Sequence, residues 1–184
     1  VEGVLTTSGI INCKQVVLAA GPWIGLCSEW LGIKIPISPL KGQILRLDSP
    51  DTPINCSVGW RGNYACTKLD GLIWAGTTEE SVGFDDTVTN SGRDQIIGNI
   101  LEMLPELDKA RVVQQTACLR PVSADNKIIL GDIPNVTGAY IATGTGRKGI
   151  LLGPAMGQLI STLVIDKKCP IDIKDFSLRR FPLR

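Results

Sequence analysis

The sequence predicts an α+β fold: an antiparallel sheet with one covering helix, flanked by segments of strand–turn–helix type. Three observations carry this. Several strand-like runs lie between residues 37 and 118, two of them joined by the hairpin pair Asp70-Gly71. "NSGRDQIIGNILEMLPEL" sets Ile96, Ile97, Ile100, Leu101 and Leu104 on one helical face. On either side, "QVVLAAGPWIG" and "GAYIATGTGRKGILL" each read as an apolar strand, a glycine turn and the start of a helix.

In chain order, Val1–Thr7 alternates weakly and turns at Ser8-Gly9, so Ile10–Cys13 returns as a short hairpin strand. Val16–Ala20 lacks polar alternation and reads as a buried strand. Gly21-Pro22 ends it. Pro22 suits a first helical position, and "WIGLCSEWLG" makes a short helix closing at Gly32. Pro36 and Pro39 interrupt the next stretch, after which Gly42–Leu47, Ile54–Val58, Asn63–Thr67 and Leu72–Thr77 are strands. The covering helix follows, and Arg111–Leu119 is a strand running into "RPVSADNK". "KIILGDIP" and "GAYIATG" are short apolar strands, and Ile150 to about Ile165 is a helix with a small-residue entrance. The C-terminal "IDIKDFSLRRFPLR" is an extended tail docked by Ile171, Ile173 and Phe176.

The 184 residues suffice for one large domain or two small ones. With 19 basic and 18 acidic residues and no basic run, nothing points to nucleic acid or an anionic membrane surface. No apolar stretch is expected to reach the roughly 20 residues that span a bilayer. "VEGVLTTSG" lacks the basic start and apolar centre of a signal peptide, has no starting Met and reads as mid-domain. Cys13, Cys27, Cys56, Cys66, Cys118 and Cys169 form no C-x-x-C pair and are expected as buried reduced thiols. The chain has no histidine, which removes His-based triads and His-containing zinc sites, and no metal site is expected. Chemistry is left to Arg, Lys, Tyr, carboxylates or a cofactor.

Gly144, Gly146 and Gly149 spell G-x-G-x-x-G. A dinucleotide fingerprint opens a βαβ unit whose second strand ends in an acid roughly 20 residues later. Asp166 lies at a tempting distance, but Leu159–Ile165 continues the helix, so the nucleotide-fold reading is rejected. Two readings stay open. The loop is shaped only for packing, or it lets backbone approach a planar or anionic group at the positive end of the following helix.

Taken in order, "VVLAAGPWIG", "PLKGQIL", "NYACTKLDGLIWAGTT", "CLRPVSADNKIILGDIP" and "GAYIATGTGRKGILLGPAMGQLIS" resemble the C-terminal half of the D-amino-acid oxidase superfamily, over almost the whole chain. These are FAD-dependent amine oxidoreductases of glycine oxidase, sarcosine oxidase and D-amino-acid dehydrogenase type. The resemblance implies a partial FAD-binding α/β lobe, residues 1–36 and 119–184, lacking its N-terminal βαβ unit. It implies a substrate-binding domain at 37–118. The "LRP…G" and "GRKGILL-x-PAMG" blocks carry most of the specificity.

The resemblance also implies roles. Arg120 of the "RP" motif pairs with the substrate carboxylate, which suits the two-pronged guanidinium; without the resemblance it reads as a salt bridge. Arg147, Tyr64 and Thr78 are further substrate-side candidates. Ala20, Gly21 and Trp23 match the turn that touches FAD, and Gly42 and Gln43 the "KG" crossing near the ring. Gly144, Gly146, Lys148, Gly149 and Ile150 match the loop over the isoalloxazine. Thr145 departs from the pattern, since many members carry His there. No protein base is implied, since hydride passes from the amine carbon to the flavin.

The expectations that follow are these. The chain is the substrate-binding and flavin-capping half of an enzyme oxidising amino acids or secondary amines. Its partners are the missing N-terminal FAD-binding half or subunit and a small amine. By itself it is inactive and holds little FAD, and its open sheet edge invites homodimers. The location is cytoplasmic, with a membrane-associated dehydrogenase complex as the alternative. Alternatives in function are a non-catalytic assembly subunit and a hydroxy-acid or glycerol-phosphate oxidoreductase.

Overall fold

The computed structural model describes residues 1–49, 51–52 and 54–182. The elements are β1 (Gly3–Thr6), β2 (Gly9–Asn12), β3 (Val16–Leu18), α1 (Ser28–Leu31), β4 (Ile37–Asp48), β5 (Val58–Trp60), β6 (Asn63–Thr67), β7 (Ile73–Gly76), α2 (Asn90–Met103), β8 (Arg111–Ser123), β9 (Ile129–Asp132), β10 (Ala139–Thr143) and α3 (Gly149–Asp166). The fold is mixed α/β, and the chain divides into two compact units, residues 40–119 and residues 1–39 with 120–184.

The 40–119 unit is built on a sheet of order β5-β6-β7-β4-β8. Its β5/β6, β6/β7 and β7/β4 pairs are antiparallel. The β6/β7 turn is the expected Asp70-Gly71 hairpin: Gly71 takes φ +78°, and the Asp70 carboxylate accepts from the Leu72 N–H at 3.1 Å. Strand alternation sends Leu45, Leu47, Ala65, Ile73 and Ala75 to one face, where Ile96 and Ile100 of α2 cover them. Ile97, Leu101 and Leu104 complete that stripe, as the periodicity predicts. Thr89 caps α2 by accepting the Gly92 N–H at 3.1 Å.

In the other unit, β1 and β2 form an antiparallel hairpin, and β3, β10 and β9 form a second sheet. β10 runs parallel to β3 and antiparallel to β9. One face of this sheet packs Ala139, Ile141 and Ile129 against Ile24, Cys27, Ile33 and Leu178. The other packs Leu130 and Tyr140 against Met156 and Ile160 of α3. Burying each such aliphatic side chain contributes roughly 1.5–3 kcal/mol before ordering costs.

Several expectations are corrected. Residues 23–32 do not form one α-helix. A 3-10 run covers Gly21–Cys27 and only Ser28–Leu31 is α-helical, because Ala20 offers no capping side chain and Gly21 and Gly25 weaken the helix. The chain does close at Gly32, with φ +64°. The strand expected over Ile54–Val58 is absent but for its last residue, and β5 begins only at Val58; Asn55 disfavours a strand, and Asn55, Cys56 and Ser57 break the apolar pattern. Strands β4 and β8 outrun their expected ends, so Arg120 lies within β8. Among the thiols, Cys27 alone is buried, and Cys56 and Cys118 are exposed. The segment Gly146–Asp166 is long and apolar enough to cross a membrane, against the expectation that no stretch is. Its Ile, Leu and Val residues are spread among small ones, so no contiguous apolar run announces it. The tail is not extended: it makes 3-10 turns at Lys174–Phe176 and Leu178–Arg180. Ile173 and Phe176 pack as expected, but Ile171 is half exposed and Leu178 is the fully buried anchor. Leu183 and Arg184, the end of the expected tail, lie outside the described residues.

Candidate functional site

Strands β3 and β10 are parallel neighbours, and each ends in a glycine turn. After β3, Gly21 takes φ +54° and starts the 3-10 run. After β10, Gly144 and Gly146 take φ +79° and +52°, conformations that favour glycine. The Thr143 hydroxyl donates to the Gly21 carbonyl at 3.2 Å and ties the turns together. Crevices at the carboxyl ends of strands are where open α/β sheets take ligands.

Helix α3 begins at this loop. Its first turn holds no acid and no side chain caps it, so its N–H groups and positive dipole end have no negative partner from those positions. The turns also have room beside them. A Cβ added at Gly21 would meet nothing within 4 Å, and one at Gly146 would meet only Val122, at 3.9 Å. Trp23 is half exposed, and Arg147, Lys148 and Ile150 are exposed. This arrangement fits a planar group bearing partial negative charge. The structure thus sets the Ala20-Gly21 turn, which Trp23 follows, beside the turn at Gly144, which runs on through Gly146 and Lys148 into Gly149 and Ile150 of α3. Arg120, half-buried, belongs to the same unit and lies in the last four residues of β8.

In the 40–119 unit, Gly42, Gln43, Tyr64 and Thr78 lie on one sheet and its margin. Tyr64 sits across from Gly76, which sits across from Ile44, on the face away from α2. A Cβ at Gly76 would stand 2.8 Å from an Ile44 methyl, so a side chain there would force Ile44 to shift. Arg46 and Trp74 occupy the next row, with the guanidinium 4.4 Å from the indole centroid.

Sequence reasoning missed Lys41. Its ammonium is 1% exposed and bonds Asp85 at 3.1 Å, the Thr87 carbonyl at 3.0 Å and Glu80 at 3.3 Å. Gln43 continues the cluster. Its amide donates to Glu80 at 2.7 Å and Thr89 at 2.9 Å, and accepts from the Thr89 N–H and from Gln115. The Thr78 hydroxyl accepts the Gln43 N–H and donates to Glu80. Burial works to lower the Lys41 pKa, but hydrogen bonds with Asp85 and Glu80 outweigh it and raise it. Burial likewise pushes Glu80 up, yet hydrogen bonds from Thr78, Gln43 and Lys41 hold its carboxyl below the usual value. Bonds from the Thr87 hydroxyl and N–H, then from Lys41, draw Asp85 down to about 2. The available signal was the period of two that puts Lys41 and Gln43 on the same face as Leu45 and Leu47.

The sequence pattern of the family described as FAD dependent oxidoreductase matches residues 1–163. The glycine oxidase of Pseudomonas putida is 35% identical over 172 residues, 94% of this chain and 47% of the relative. The hydrogen cyanide synthase subunit HcnC of Pseudomonas protegens is 36% identical over 183 residues, 98% of this chain and 44% of the relative. The crystal structure of glycine oxidase from Geobacillus kaustophilus superposes with a TM-score of 0.91 at 29% identity, covering 97% of this chain and 48% of that one. That of iminodiacetate oxidase from Chelativorans sp. BNC1 gives 0.87 at 27% identity, over 93% and 48%. The chain therefore spans about half the length of the relatives it matches.

Proposed function

The chain belongs to the FAD-dependent oxidoreductase family, and from that premise we propose that it forms the substrate-binding and flavin-ring side of an enzyme oxidising the C–N bond of amino acids or secondary amines. The observation that supports this best is the pair of glycine turns at the carboxyl ends of β3 and β10, beside the N-terminus of α3. Bound FAD would supply the hydride acceptor. Around it, Ala20, Gly21, Gly144, Gly146 and Gly149 bring backbone close, with Trp23, Lys148 and Ile150 at the margin. The α3 amides would stabilise negative charge on the bound group without reorganisation.

Arg120 anchors the substrate carboxylate through a fork of two hydrogen bonds. The relatives' names agree with such an anchor, since glycine and iminodiacetate are amines that carry carboxylates. Arg147 is the second cation on this side. The 40–119 unit binds substrate through the sheet face that carries Tyr64. The side chains of Gln43 and Thr78 are engaged in the Lys41 cluster and support that sheet. The 184 residues by themselves hold FAD weakly and turn over little. Their G-x-G-x-x-G is followed by a helix and, among the described residues, by no second parallel strand. The rest of the relatives' length is the partner that completes the cofactor site.

The test is a substrate panel on protein of full family length. Glycine, sarcosine and iminodiacetate should bleach the bound flavin anaerobically, and glycolate should not. Bleaching by hydroxy acids alone would replace this reading with the hydroxy-acid one.

A further inference from the structure

The matched family pattern ends at residue 163, yet the tail beyond it makes one of the densest polar contacts in its unit. The Arg180 side chain is 15% exposed. Its Nε and Nη2 donate to the two oxygens of Asp125 at 2.7 and 2.9 Å, a two-pronged pair. Nη2 also reaches the Lys127 carbonyl at 3.1 Å, and Nη1 the carbonyls of Phe176 and Ser177 at 2.8 and 3.2 Å. The guanidinium lies 4.3 Å from the Phe181 ring centroid, and neighbouring Leu178 is fully buried in the core. The tail is thus pinned on both sides of Arg180.

What Arg180 holds is the turn between β8 and β9. Within it, Ser123 donates to the Lys127 carbonyl, and the Asp125 carboxylate accepts from the Lys127 N–H at 3.2 Å. That turn is the floor of the glycine loop. A Cβ at Gly144 would stand 3.1 Å from the Lys127 carbonyl oxygen and 3.2 Å from the Ile129 nitrogen, so the loop backbone rests directly on this segment. Thr143, the last residue of β10, pairs with Ile129, the first of β9. Arg120 lies three residues before Ser123 on the other arm of the turn.

We infer that Arg180 is a positioning residue for the Gly144–Gly149 loop: through Asp125 and Lys127 it fixes the turn on which that loop is seated. Its bearing on cofactor or substrate rests on the function proposed above; the mechanical claim does not. Removing the guanidinium leaves Asp125 and the Lys127 carbonyl held only by bonds within the turn, from Ser123 and the Lys127 N–H, and so loosens the turn. Gly144 then loses a fixed surface to pack on, while the 40–119 unit keeps every bond described for it.

The test is backbone amide exchange on the 184-residue chain, resolved by NMR. Arg180→Met should speed exchange between Gly144 and Ile150 by about ten-fold, a change of ~1.4 kcal/mol in local opening, with α2 unchanged. Arg180→Lys should restore part, because an ammonium meets one oxygen and not the fork. Asp125→Asn, a gentler change that keeps the turn's shape, should move the same amides in the same direction and serves if Arg180→Met fails to fold. Loop exchange within two-fold of wild type in the variants that fold, with the tail protected or freed, would overturn the inference. Exchange that responds as expected in a chain whose full-length form oxidises no amine would keep the brace and remove the proposed function.

Discussion

Gly92 illustrates how tightly single residues are fixed here. The Gln43 amide lies against the first turn of α2, and a Cβ at Gly92 would overlap its Nε2, Cδ and Oε1. Gln43 cannot swing away cheaply, because its amide serves Glu80, Thr89 and Gln115 at once. Gly92→Ala should therefore destabilise the protein by roughly 1–3 kcal/mol in a denaturant melt, although alanine favours helices. Gly144→Ala should cost a similar ~1–3 kcal/mol, from its positive φ and the Lys127 carbonyl. The glycines of the loop were legible in the sequence as turn formers. The need for Gly92 was not, since the side chain that demands it comes from a strand far away in the chain. Lys41 was not read, because the expected strand began at Gly42; extended back to Ile37, the same alternation puts it on the face of Leu45 and Leu47, but the carboxylates that make its burial tolerable lie in the loop after β7.

At the scale of elements, that loop is latched to β4 by charge, which gives stability a pH dependence of known sign. The Glu80 and Asp85 pKa values lie below their ordinary values of 4.5 and 3.8, with Asp85 at about 2. The Asp125 carboxyl is also held low, first by its bonds from Arg180. The unfolded chain thus binds more protons in acid than the folded one. The three carboxylates contribute their full stability above the ordinary carboxylate range and lose it as pH falls through the folded values. The raised Lys41 pKa acts oppositely: its contribution is present below the ordinary value of 10.5 and fades only above it. Thermal melts should be level from about pH 6 to 9 and fall steeply between about pH 4 and 2. Asp85→Asn should flatten part of that fall, and a main transition near neutrality would contradict this account. Most elements could be read from alternation and period, as α2 and the Asp70-Gly71 hairpin were. Those that could not are the weakly encoded ones: the 3-10 run at Gly21, the lost strand before Val58 and the turns of the tail. There, tertiary packing of Ile24 and Leu178 decides the geometry more than local propensity.

The molecule as a whole leaves much apolar surface uncovered within the 1–39 and 120–184 unit. An apolar groove of about 450 Å³ is lined by Val1, Leu5, Val16, Leu18, Trp30 and Val136. Leu5 is 80% exposed and Trp30 78%, and β3 stands at the open end of its sheet. Such an edge beside an apolar groove favours strand pairing. The 184-residue chain should therefore self-associate at high concentration, and Val17→Lys on β3 should weaken that in sedimentation runs. Likeness to about half of a longer enzyme was anticipated from the ordered blocks that run from "VVLAAGPWIG" to "GAYIATGTGRKGILLGPAMGQLIS"; what Arg120 faces was not legible, because spacing does not reveal it.

The central claim, an amine oxidoreductase that grips a carboxylate, is tested most directly by Arg120→Ala in protein of full family length. Without its partner the buried carboxylate costs roughly 2–5 kcal/mol, or about thirty-fold to several thousand-fold in kcat/KM. Arg120→Lys should recover part, and flavin content should stay near wild type. The account predicts this loss for amines bearing a carboxylate and little loss for those without one. Equal losses for both would make Arg120 a structural residue and contradict it.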